Sequence, residues 1–160
     1  MQAPSRMRVE ASIQRSQGQL AAFQNRLVRD VMRRDFITIS REESLLEALQ
    51  LMRLARLRHL VVVSEGVLVG LLSYRDLQDE LVACLDLDSP DAPAVAQIQV
   101  VDRMSSAPFS IAPDATLSEA ASRLEGLRVG CLPVAEPGEQ GLRLVGLLTE
   151  MDLLRAAYGA

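Results

Sequence analysis

Two short stretches of this chain carry residues able to do chemistry. Gly70-Leu71-Leu72-Ser73-Tyr74-Arg75-Asp76 and Gly146-Leu147-Leu148-Thr149-Glu150-Met151-Asp152 each end an apolar run in a hydroxyl, with a carboxylate three residues on. If the run is a buried strand and a helix starts after the hydroxyl, the first amides of that helix and its dipole face outward toward an anion. The hydroxyl adds a donor for a phosphate. An Asp one turn on can accept two hydrogen bonds from a sugar diol. The same hydroxyl-x-x-carboxylate pattern also caps a helix, which needs no ligand. Two other helix starts, Ser44-x-x-Glu47 and Thr116-x-x-Glu119, use Glu as a capping box does. The shorter Asp is a weaker box partner, which favours a functional reading of Asp76 and Asp152.

These stretches are twins within a longer duplication. Val28-Arg29-Asp30-Val31-Met32 returns 72 residues later as Val100-Val101-Asp102-Arg103-Met104, and Arg56, Leu60 and Val62 return as Arg128, Leu132 and Val134. A four-residue insertion then moves the offset to 76, aligning Leu68-Val69-Gly70-Leu71-Leu72 with Leu144-Val145-Gly146-Leu147-Leu148. A repeat of this length is a supersecondary unit whose apolar face needs a neighbour to cover it. Each copy reads as a short extended stretch (Phe36 to Ile39, Phe109 to Ile111), a capped helix, two strands and a second helix from Tyr74 or Glu150. Glu65-Gly66 makes the first strand-strand turn tight, and residues 136–141 make the second long. The expected organisation is an N-terminal amphipathic helical segment over 1–27, a first copy over 28–84, a linker over 85–98 and a second copy over 99–157. The fold class is α/β (α+β), with two β-α-β-β-α units packed pseudo-symmetrically.

Composition narrows the function. Of the 160 residues 49% are apolar but only 3% aromatic, so the core is built from Leu, Val, Ile and Ala. The formal net charge of −4 argues against a nucleic-acid partner, which requires a basic footprint. No apolar run approaches the ~20 residues of a membrane span, and the N-terminus shows no secretory signal, so a cytoplasmic protein is expected. The two cysteines, Cys84 and Cys131, form no disulfide framework. His59 is the only histidine, without a second ligand at metal spacing. No nucleophile is paired with a base, so no catalytic residue is assigned and an enzyme is not expected.

With its duplicated openings, its Arg58-His59-Leu60-Val61-Val62 and Cys131-Leu132-Pro133-Val134 strands and its two Gly-x-x-[Ser/Thr]-x-x-Asp segments, the chain resembles a tandem pair of CBS domains, a Bateman module of the stand-alone bacterial type. The resemblance covers about residues 28 to 157. It implies a regulatory module with two clefts for an adenosine nucleotide (AMP, ADP or ATP) that signals to an effector protein by conformational change. Carried over residue by residue, Asp76 and Asp152 would hold ribose, and Ser73 and Thr149 the phosphate. Thr38 and Ser110, with Ile37, Ile39, Phe109 and Ile111, would border the adenine. Arg58, His59, Leu60 and Val61, with Cys131, Leu132 and Pro133, would line its other side. Arg75, a guanidinium suited to phosphate, favours the first cleft. Glu150 and Met151 supply no cation to the second. Two such units leave apolar helix faces exposed at the ends of the sheets, so a homodimer is expected, its contact the helices after Ser73 and Thr149, bearing Leu77, Leu81, Leu153 and Leu154, as in related modules. The alternative is a structural or dimerisation module that binds no ligand.

Overall fold

A computed structural model describes residues 6–75, 77, 97–106 and 108–158. Asp76, Leu81, Cys84 and most of the expected linker lie outside the described residues. The chain opens with helix α1 (Arg6–Asn25), continuous through Gly18, which packs against the two helices of the second copy, Leu117–Leu127 and Glu150–Tyr158. The first copy then supplies β1 (Thr38–Ser40), α2 (Leu45–Leu54), β2 (His59–Ser64) and β3 (Val67–Ser73). The second supplies β4 (Ser105–Ser106), α3 (Leu117–Leu127), β5 (Cys131–Gly138), β6 (Gly141–Thr149) and α4 (Glu150–Tyr158). The strands form one sheet in the order β1-β2-β3-β6-β5, with β4 also paired to β3. β1 runs parallel to β2 and the hairpin strands are antiparallel.

Local sequence explains the element boundaries. At the start of α2, Glu47 N donates to Ser44 Oγ at 3.2 Å and Ser44 N donates to the Glu47 carboxylate at 3.0 Å. The Ser44 hydroxyl, donating to the Glu47 carboxylate at 2.8 Å, and then Ser44 N hold the Glu47 carboxyl below its ordinary pKa. Thr116 caps α3 in the same way, but only in one direction: Glu119 turns instead to Arg123, 2.9 Å away. The β2–β3 turn places Glu65 and Gly66 at φ 50° and 81°, the left-handed pair of a tight hairpin. The β5–β6 connection is not the long loop expected. Its strands pair as far as Gly138 opposite Gly141, leaving a two-residue turn. The insertion therefore lengthens both strands. Pro137 is tolerated because β5 is an edge strand and its missing N–H breaks no inner ladder.

The copies are interlocked. Val28 and Met32 of the first copy are buried in the core around Ile111, Leu117, Leu132 and Leu148 of the second. Val100 is buried in the core around Leu45, Met52, Leu60 and Leu72 of the first. Backbone bonds repeat the exchange: Val28 N donates to Ala115 O at 2.9 Å, and Val100 N to Glu43 O at 2.9 Å. The Asp of each opening caps a single 3-10 turn, with Asp30 accepting from Leu27 N and Asp102 from Gln99 N. The Met of each opening lies on the strand glycine of the other copy. A Cβ on Gly70 would overlap Met104, and one on Gly146 would overlap Met32. The recurrent Asp, Met and Gly are thus one device for joining the copies.

Candidate functional site

Matching registers build two matching strand ends. In the first copy Leu60 pairs with Leu72 and His59 with Ser73; in the second Leu132 pairs with Leu148 and Cys131 with Thr149. Each ladder shifts register at the same place, after Val62 and after Val134. The backbones that present Ser73 and Thr149 are therefore equivalent, and any difference between the sites comes from side chains.

At the first strand end the two copies enclose adjoining cavities with His59, Ser73, Arg75 and Arg128 in their common wall. The smaller, about 210 Å³, has Leu71, Pro108, Phe109 and Cys131 among its walls, with Ser105 and Ser106 at one side. Phe109 is 63% exposed, so one ring face is free to stack. The larger, about 560 Å³, is bordered by Arg58, Arg75 and Arg128, and also by Glu125 and Glu150. The space thus grades from an apolar end to one with three guanidiniums and two carboxylates. Glu150 belongs to the second copy but faces the same cavity as Arg75. Arg128 ends α3 at φ 54°, and its twin Arg56 has the same φ. This shared left-handed turn is a feature of the fold, and only Arg128 is brought to the cavities.

At the second strand end the carboxylate is already engaged. Asp152 is 6% exposed. Its Oδ2 accepts from Thr149 N at 2.9 Å and from Thr149 Oγ1 at 2.6 Å, and Asp152 N donates back to Thr149 Oγ1 at 3.3 Å. Its Oδ1 accepts from Arg33 Nε at 3.0 Å, with Arg155 Nη1 at 3.8 Å. Asp is therefore long enough to complete a cap here, contrary to the expectation from its shorter reach. The second site also has cations, which come from outside the Gly146–Asp152 stretch. The local cavity, about 290 Å³, is lined by Arg26, Asp30, Arg33, Asp152 and Arg155.

The sequence-derived candidates fall into distinct places. Arg58, His59, Ser73, Arg75, Phe109 and Cys131 meet at the first pair of cavities. Thr149 and Asp152 form the second site. Ile39 and Leu60 are buried in the core of the first copy, Ile111 and Leu132 in that of the second, and Val61 in a small cluster with Leu68 and Ala135. Pro133 is buried within β5. Ile37 is exposed, while Thr38 and Ser110 are half-buried outside both first-site cavities. Ser110 is fixed through its carbonyl, which accepts from Arg123 Nη1 at 2.9 Å. Sequence reasoning missed Arg33, Ser105, Arg128 and Arg155. The repeat alignment does hold one signal, because Arg33 and Ser105 are equivalent positions filled by unlike residues.

Burial pushes the Cys131 thiol up to about 12, with the Asp152 charge adding to it. Such a thiol is a packing group and not a nucleophile. Among the described residues no group of three or more His, Cys, Asp or Glu is placed to hold a metal ion, and no helix is long and apolar enough to cross a membrane.

The sequence model of the CBS domain family matches residues 28–83 and 95–159. Among solved structures, a protein of Vibrio cholerae assigned to acetoin utilisation is 30% identical with a TM-score of 0.66, over 84% of this chain and 91% of its own. CBSX2, solved in complex with AMP, is 26% identical with a TM-score of 0.69, over 83% of this chain and 96% of its own. The CBS domain of a membrane protein from Sphaerobacter thermophilus, 18% identical, shares the fold at a TM-score of 0.73 over 91% of this chain and 96% of its own. No curated protein sequence matches the chain.

Proposed function

The chain belongs to the CBS domain family, and from that premise we propose that it is a regulatory module that binds an adenosine nucleotide in the first cleft. The observation that carries this reading is the graded space at Ser73. An apolar end beside Phe109, Pro108 and Cys131 suits a purine, and an end bordered by Arg58, Arg75 and Arg128 suits phosphate. Ser73 is proposed to donate to the phosphate, and Asp76, next in the sequence but outside the described residues, to accept from the ribose. The complex of CBSX2 with AMP supports the class of ligand. Glu125 and Glu150 offset part of the arginine charge, so the cleft selects how many phosphates it takes, and AMP, ADP and ATP are the ligands to compare. A nucleotide touching both copies shifts their relative arrangement only by its difference in affinity for the two arrangements, and an effector protein would read that shift.

A second reading has support at the other cleft. The reciprocal bonds between Thr149 and Asp152 make a complete cap without any ligand, as a purely structural module would require. The exposed face of α4, with Met151, Leu154 and Tyr158, is where a second copy of the chain would pack in a homodimer. Leu77 and Leu153 are buried in this chain's own cores instead.

Thermal denaturation with AMP, ADP and ATP tests the reading. A ligand at 100 times its Kd stabilises the folded state by about 2.7 kcal/mol, which raises the Tm of a domain this size by about 5–10 °C. Arg75→Met should remove most of that rise. No rise with any of the three at millimolar concentration rejects the nucleotide reading.

A further inference from the structure

Equivalent positions next to the two strand ends carry unlike residues. Ser105 pairs with Leu71 of β3 beside the first cleft, and Arg33 bridges to Leu147 of β6 beside the second. Arg33 is held at this place by its backbone: Arg33 N donates to Leu147 O at 2.9 Å and Leu147 N donates back to Arg33 O at 3.0 Å. From there its side chain reaches Asp152 Oδ1 at 3.0 Å. Thr149 takes the other carboxylate oxygen at 2.9 and 2.6 Å. Each carboxylate oxygen accepts about two hydrogen bonds: Thr149 takes both on Oδ2, so a sugar diol would have to bind at Oδ1, where Arg33 already sits. Ser105 is too short to do the same in the first cleft, and it lies exposed at the wall of the apolar cavity.

We infer that Arg33 silences the second cleft, its guanidinium standing where a ribose would bind Asp152, so that each chain takes a single nucleotide. This rests on the reading of the first cleft as a nucleotide site and adds to it the residue that sets stoichiometry. Arg33 is specific to this role by placement as well as charge. Arg155 also lies near Asp152, but one helical turn along the same helix and at 3.8 Å, beyond hydrogen-bond distance. Arg33 approaches from the opposite copy and is the arginine within hydrogen-bond distance of Oδ1. A ligand binding Asp152 in the second cleft would compete with this ion pair, which ties the first copy's opening segment to the second copy's last helix.

Exchanging the twin residues gives the test. Isothermal titration calorimetry is run with whichever of AMP, ADP and ATP stabilises the wild type most. Wild type should bind one nucleotide per chain, and Arg33→Ser should bind two, the new site being sensitive to Asp152→Asn. The reverse exchange, Ser105→Arg, should weaken the first cleft by about tenfold or more, the effect of one hydrogen bond to a charged group. If Arg33→Ser fails to fold, Arg33→Gln, which keeps the length of the side chain without its charge, replaces it. Two equal sites in the wild type, or one site in a folded Arg33→Ser protein, overturns the inference. No binding by the wild type rejects the nucleotide reading of the first cleft instead. Even then Arg33→Ser decides: a site gained upholds the role of Arg33, and none gained overturns it.

Discussion

Ser73 and Thr149 end equivalent strands, opposite His59 and Cys131 in the same register, yet their surroundings differ in kind. Around Ser73 the guanidiniums of Arg58, Arg75 and Arg128 border an open space. Around Thr149 the guanidinium of Arg33 is bonded to Asp152. Both sites concentrate positive charge at a strand end, but among the described residues only the second bonds one of its guanidiniums to a carboxylate within the site. A repeated backbone therefore does not entail a repeated site. Duplication supplies two scaffolds, and a single substitution at twin positions, Arg33 against Ser105, decides which of them stays open.

The largest expected effect separates the clefts by affinity. Arg75→Ala with Arg128→Ala should weaken nucleotide binding by about 3–6 kcal/mol, two hydrogen bonds to charged groups at roughly 1.5–3 each. Arg155→Ala, at the other cleft, should leave it unchanged. Calorimetric titration of the two proteins makes the comparison, and equal losses would break the distinction between the sites.

A smaller effect separates the two joints between the copies. Gly146→Ala should destabilise by about 2–3 kcal/mol and Gly70→Ala by about 1–2, the range for overpacking. The three atoms nearest a Cβ on Gly70 all belong to the Met104 side chain, which can bend away. One on Gly146 also meets the Arg33 carbonyl oxygen at 3.0 Å, which is fixed in a strand bridge. Urea denaturation would measure both, and the reverse order would count against the account of the interlock.

Asp152→Ala should cost about 1–2 kcal/mol, mostly the helix cap, because Arg33 is half-exposed and can return to water. The smallest effect belongs to the position where the strands begin with His59 in one copy and Cys131 in the other. The folded-state thiol of Cys131 lies at about 12 against an ordinary 9.0. The folded state thus keeps a proton that the unfolded chain releases. This contribution is fully present below pH 9.0 and lost as pH rises toward 12, at up to about 1.4 kcal/mol per pH unit. Wild type should therefore lose about 1 kcal/mol more than Cys131→Ala between pH 8 and pH 10 in urea melts. Parallel loss by the two proteins would contradict the buried thiol.

The fold was legible because the duplication and the caps are local signals. Ser44-x-x-Glu47, Glu65-Gly66 and the two Gly-containing strands announce their own geometry. The exchange of openings between copies was less so. The repeat shows that Met32 and Met104 are equivalent, but not that each lies on the glycine of the other copy. The same blindness affected the site. Charges beside each hydroxyl in sequence, Arg75 in one copy and Glu150 in the other, suggested a cationic cleft and an acidic one. In three dimensions Glu150 borders the cavity of Arg75, while Asp152 draws Arg33 from 119 residues away. Cross-copy contacts of this kind are fixed by topology, and only the unlike twins Arg33 and Ser105 hinted at them. Ile39, Leu60, Ile111 and Leu132, carried over as candidates for a base-binding wall, are core residues on the same strands or beside them.

The most direct test of the central claim is a crystal structure of the wild-type chain grown with ATP. The account predicts one nucleotide per chain, its base beside Phe109 and Cys131, its phosphates among Arg58, Arg75 and Arg128, and the Arg33–Asp152 pair intact in the other cleft. A nucleotide bound at Asp152 with Arg33 displaced, and none at Ser73, would contradict it.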